Sequence, residues 1–203
     1  MLARAAVPER HARVAALRAE FEARTGSFAP SDPYFEARSA AFWDDALTRS
    51  AFGRELASEL DGETAALVEP LARAHRGLFR ASGARASGAH DAADGFHLVD
   101  EWSGAEFVAL AASEGLRDAL ERASGLIDGR VIGAGSSQIV LLPGALFHAA
   151  DALEPMRALL PLAREREMAT HELLDALLRM DHSLRSLSRV KAAFAYRKEA
   201  LAR

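Results

Sequence analysis

Hydrophobic positions recur at helical spacing at both ends of the chain and at strand spacing in the middle. Val7, Val14, Leu17 and Phe21 return every three, four or seven residues, Pro8 suits a first turn, and Thr25-Gly26 supplies a stop. A second helix is expected from Asp32-Pro33, carrying Phe35, Phe42, Trp43 and Leu47 inward. A third is expected around Phe52, Leu56 and Leu60, and a fourth through Leu67, Leu71 and Leu78. The period changes after Phe79. Residues 82–95 are small, polar and flexible and predict a loop.

Beyond that loop the residues favour strands. Phe96 to Glu101 and Ala105 to Leu110 flank the turn Trp102-Ser103-Gly104. Leu126 to Gly133 and Gln138 to Leu142 flank a second turn at 134–137, and a last short strand follows Pro143-Gly144. Between the hairpins Ser113 can cap a helix carrying Leu116 and Leu120. Strands this short and closely spaced avoid open edges best by curling into a barrel.

From Ala150 the chain is helical again. Asp151 to Leu160 forms one amphipathic segment, which Pro161 is expected to interrupt. Leu173, Leu177, Met180, Leu184, Leu187, Lys191, Phe194, Lys198 and Leu201 then alternate steps of four and three. Such a repeat describes a helix packed along its length, against either the amino-terminal helices or a second copy of the chain. The expected fold is therefore α+β. A helical block spans 1–81, a small antiparallel β barrel of SH3-like or OB-like kind spans 82–149, and helices at 150–203 pack back on the first block.

Composition narrows the chemistry. The 203 residues hold 25 Lys and Arg against 29 Asp and Glu, a net charge of −4, and no Cys, which removes disulfides, thiolate nucleophiles and multi-Cys zinc sites. The longest strongly apolar run, Ile139 to Phe147, is broken by Pro143-Gly144 and falls short of the roughly 20 residues of a membrane span. The amino end, with charges among its alanines, lacks the hydrophobic stretch of a secretion signal. A cytoplasmic protein without membrane attachment is expected.

Motifs add little. Gly133-Ala134-Gly135-Ser136-Ser137 resembles a phosphate loop, but Gln138 stands where a third glycine belongs and a strand follows instead of a helix, so it reads as a hairpin turn. His90, Asp91, Asp94, His97, Asp100 and Glu101 crowd one stretch, but strand alternation splits them between two faces. His171, Asp175 and His182 share one helical stripe, read as a surface polar stripe for want of ligands from a second helix. No metal or cofactor is expected. No catalytic residue is nominated, because a triad meets only in the fold. Carboxylate pairs such as Asp44-Asp45 read as hydrated helix charges.

Two candidate surfaces stand out. His97, Glu101 and Trp102 lie at and beside a predicted turn, where a large indole can anchor a protein or small-molecule partner. Between His182 and Arg203 six basic residues face one acid, and Arg185, Arg189, Lys191, Arg197 and Lys198 can lie along a nucleic-acid backbone. The expectation is thus a non-enzymatic binding or scaffolding protein whose barrel is the recognition module, monomeric or dimeric through its last helix. A nucleic-acid-binding protein is the alternative, and a metal-dependent enzyme a further one.

Overall fold

The computed structural model describes residues 7–57, 59, 62, 68–83, 95–134, 138–186 and 191–202. Among them a five-stranded barrel is held between two sets of helices. The amino-terminal helices are α1 (His11–Thr25), α2 (Phe35–Arg49), α3 (Phe52–Ala57) and α4 (Val68–Ala72). The barrel consists of β1 (His75–Gly83), β2 (Phe96–Asp100), β3 (Glu106–Ala111), β4 (Ile127–Ala134) and β5 (Gln138–Leu141), with helix α5 (Glu114–Glu121) between β3 and β4. A two-residue strand, β6 (Leu146–Phe147), leads to α6 (Leu153–Glu165), α7 (Thr170–Ser186) and α8 (Ala192–Ala195).

The strands close in the order β1-β2-β3-β5-β4-β1, and β6 extends the edge of β4. Every pairing is antiparallel except β3 with β5, where Leu110 lies opposite Val140 in parallel register. This closure, with a helix joining β3 to β4, is the OB-like arrangement of the two barrel kinds expected. Ser113 caps α5 as its sequence position predicts, its hydroxyl accepting from the Leu116 N–H at 3.3 Å.

Side-chain alternation on β1 and β4 divides the interior. Phe79, Ile127 and Val131 point into the barrel and meet Phe96, Leu98, Leu141 and the α5 leucines Leu116 and Leu120. Leu78, one position away, points outward into the core formed by Met156, Leu173, Leu177 and Tyr196 of the carboxyl-terminal helices. The amino-terminal helices have an aromatic core of Phe21, Phe28, Phe42 and Phe52, in which Phe21 and Phe42 meet edge to face at 6.0 Å. Helix α1 packs directly on α7, so the two helical blocks are joined. Gly26, at φ +94°, ends α1 where an added Cβ would sit 2.9 Å from the His182 ring. Only glycine meets both demands.

Several elements differ from the sequence reading. Leu78 lies in a strand, because His75–Gly83 pairs with both β2 and β4 and cross-strand partners override its helical spacing. Helix α2 begins at Phe35 and not at Asp32. The Asp32 carboxylate instead accepts from the Ala29 N–H at 2.7 Å, and its carbonyl accepts from Phe35, which makes a turn before the helix. Pro161 lies inside α6 and does not end it.

The break comes at 166–169, where Glu167 adopts φ 55° and the Glu172 carboxylate reaches back to the Ala169 N–H at 2.9 Å to start α7. The expected long heptad helix is divided as well. Helix α7 is described to Ser186, and α8 and a 3-10 turn (Lys198–Ala202) fold back on it. Leu173, Leu177, Met180 and Leu201 are buried in one core, whereas Phe194 is exposed.

Candidate functional site

The outer face of β1 and β4 carries charge where the helices cover it. Arg76 on β1 lies directly opposite Arg130 on β4, and Asp128 lies opposite Leu78. Two guanidinium groups side by side repel, and the helices bring carboxylates to them. Arg76 grips Asp128 through two parallel hydrogen bonds, Nε to Oδ1 at 2.9 Å and Nη2 to Oδ2 at 2.8 Å, and reaches Asp175 of α7 through Nη1 at 2.7 Å. Arg24 of α1 bridges Asp175 and Asp45, and Arg49 of α2 lies 3.3 Å from Asp175. Arg130 donates to Asp45 at 2.5 Å.

Four arginines thus share three carboxylates in a layer common to α1, α2, α7 and the barrel. Their surroundings tune them differently. Burial alone would lower the Arg76 pKa, but Asp128 and Asp175 outweigh it and raise it. Burial, with the Arg76 charge alongside, pulls Arg130 down to about 10. Asp175 is lowered, because Arg76 and Arg24 overcome its burial. Asp44 faces away from this layer, and its Oδ2 accepts from the Gly144 N–H at 2.8 Å. Its burial outweighs that bond and the nearby Arg130 charge, pushing its carboxyl up to about 6.

Neighbouring cavities open on the layer, and two of them share wall residues. The inner one, about 330 Å³, is walled by Asp45, Thr48, Arg49, Arg76, Arg130 and His171. The outer one, about 620 Å³, shares Arg49 and His171 with it and adds Arg24, Arg166, Met168, Glu172 and Leu201 among its walls. Arg130 is 5% exposed and Arg76 has 10% of its side chain exposed, so cationic groups out of bulk water face a space large enough for a ligand.

The residues singled out in the sequence lie elsewhere. His97 contacts Glu106 across β2 and β3 at 2.9 Å. Glu101 is held by Arg80 and Arg157, whose hydrogen bonds lower its pKa. Trp102 packs against the carboxyl-terminal core with the Arg164 guanidinium 4.9 Å from its ring centroid, and its carbonyl accepts from Arg164 at 2.5 Å. The three side chains have separate partners and do not meet in either cavity.

Of the basic residues, Arg185 turns inward to Asp181 at 2.5 Å and lies 3.8 Å over the Tyr34 ring. Lys191, Arg197 and Lys198 are exposed. Arg189 lies outside the described residues, as do His90, Asp91, Asp94, Gly135, Ser136 and Ser137.

Among the described residues two His–Asp contacts form, and neither activates a nucleophile. Asp100 accepts from the Ser103 hydroxyl at 2.6 Å and contacts His75 Nε2 at 3.2 Å, so the serine touches the carboxylate and not the imidazole that would have to act as its base. His148 lies 3.2 Å from the Tyr196 hydroxyl and 3.4 Å from Asp181, but its side chain is 1% exposed and cannot reach a substrate. Among the described residues no three His, Asp or Glu side chains gather as metal ligands would.

The stripe of His171, Asp175 and His182 is only partly a surface stripe, with His171 exposed and Asp175 buried. Asp175 is 4% exposed at the centre of the arginine layer, and His182 is half-buried beside Gly26. The cleft residues left one trace in the sequence: Asp128 and Arg130 alternate with Ile127, Gly129 and Val131, so an outward face of a strand carries opposite charges two residues apart. Comparison with protein-family models, curated proteins and solved structures finds no match to this chain. Fold and site together define an OB-like barrel set in a helical frame, with an arginine-lined cleft where the two meet.

Proposed function

We propose that this is a non-enzymatic binding protein whose barrel and helical frame jointly form a receptor for a small anion, bound in the cleft between them. The observation that carries this reading is Arg130. It is buried beside another arginine, and among the described residues it gives one hydrogen bond, to a carboxylate, while its side chain walls the inner cavity. Burying a guanidinium beside a like charge is unfavourable unless an anion answers it. An oxyanion in the inner cavity would give Arg49, Arg76 and Arg130 a further shared counter-charge. Trp102 and Arg185, the strongest features of the two surfaces read from sequence, are occupied within the fold, which also favours the cleft.

The test is thermal unfolding at low salt with increasing inorganic phosphate or sulfate, using matched chloride as control. A saturable rise in Tm with the divalent oxyanions and none with chloride is expected. Arg49→Ala should remove most of that rise without unfolding the protein, since this side chain is 40% exposed and makes one long contact. Identical curves in phosphate, sulfate and chloride would overturn the proposal.

A further inference from the structure

We infer that the cleft is shaped for a phosphate monoester of a compact organic group, with the phosphate against Arg49, Arg76 and Arg130 and the organic part in the outer cavity. This rests on the anion-receptor reading above and adds the class of ligand. In the inner cavity the three guanidinium groups arrive from three elements, α2, β1 and β4. A planar carboxylate is satisfied by one arginine fork, whereas a tetrahedral phosphate presents three terminal oxygens in three directions. Among the described residues Arg49 and Arg130 each give a single hydrogen bond, out of the five N–H groups a guanidinium carries. Each therefore keeps N–H groups that an anion in the inner cavity can use.

The fourth oxygen of a monoester carries its substituent, and the cleft has a place for it. The inner cavity, about 330 Å³, has Arg49 and His171 as walls in common with the outer one of about 620 Å³, so the two are neighbours. An inorganic ion would leave that outer space to water. Its wall is mostly charged, with Arg24, Arg166, Asp175 and Glu172 among its residues, and Met168 and Leu201 are its apolar side chains. Charged groups of both signs around two apolar side chains suit a polar organic group that also offers some apolar surface.

The experiment is calorimetric titration of the full chain at low salt with acetate, inorganic phosphate and phenyl phosphate. Phosphate should bind more tightly than acetate, and phenyl phosphate about tenfold more tightly than phosphate, the equivalent of about 1.4 kcal/mol. Arg49→Ala should weaken phosphate and phenyl phosphate alike. Met168→Ala, in the outer wall, should reduce the phenyl phosphate advantage and leave inorganic phosphate unchanged. Circular dichroism and melting of both variants verify that they are folded.

Equal affinity for phosphate and phenyl phosphate would overturn the ester, while the anion receptor would stand. Acetate as tight as phosphate would overturn the phosphate assignment in the same way. Absence of binding by all three probes would overturn the receptor reading itself.

Discussion

Asp44 and Asp45 are neighbours in sequence and opposites in environment. Asp45 faces the arginine layer and accepts from Arg24 and Arg130, whereas Asp44 turns toward Gly144 and is held near a pKa of about 6 by burial. Because the folded pKa lies above the unfolded one, the fold favours the protonated acid. The stability this contributes is present below about pH 4 and is lost as pH rises toward 6. The gap from 3.8 to about 6 corresponds to about 3 kcal/mol. Asp44→Asn keeps an acceptor for the Gly144 N–H and removes the titration. Chemical denaturation from pH 4 to 8 should show the variant gaining on the wild type across that interval, with a constant difference above it. Parallel profiles would show that Asp44 ionises as freely in the fold as out of it.

At the scale of elements, the junction between α6 and α7 is the informative one. Glu167 is exposed and left-handed, a conformation that costs an L-residue about 1–2 kcal/mol. Replacing it by glycine removes that strain, against the greater freedom glycine has when unfolded. Glu167→Gly should therefore stabilise the protein by about 0.5–1 kcal/mol, read as a higher denaturation midpoint with an unchanged slope. The break matters for the site, because it turns α7 so that His171 and Asp175 face the barrel. A helix running unbroken from Leu153 would carry these residues elsewhere.

For the whole molecule, the ionic layer joins what would otherwise be separate cores. Asp175 alone contacts arginines from α1, α2 and β1. Asp175→Ala would leave three guanidinium groups short of an acceptor, and breaking a buried pair in this way costs about 3–5 kcal/mol. Because the layer spans both helical blocks and the barrel, far-ultraviolet circular dichroism and tryptophan fluorescence of the variant should lose their signals together, at a lower midpoint than the wild type. Two separated transitions in the wild type would show that barrel and frame unfold independently.

Much of the element order was legible in the sequence. The strands from Phe96 onward, the Ser113 cap and the α+β order of helices, barrel and helices follow from alternation, capping chemistry and turn residues, all of them local properties of the chain. Leu78 was misread because helical and strand spacing coincide over a few residues, and its pairing partners are 20 to 50 positions away. The cleft was hidden for the same reason. Arg24, Asp45, Arg76, Arg130 and Asp175 lie far apart along the chain, and each alone resembles a hydrated surface charge. Sequence by itself determined which segments coil and which extend, since that is decided between near neighbours. Only the tertiary structure decided which charges leave water, because burial depends on what packs over a residue.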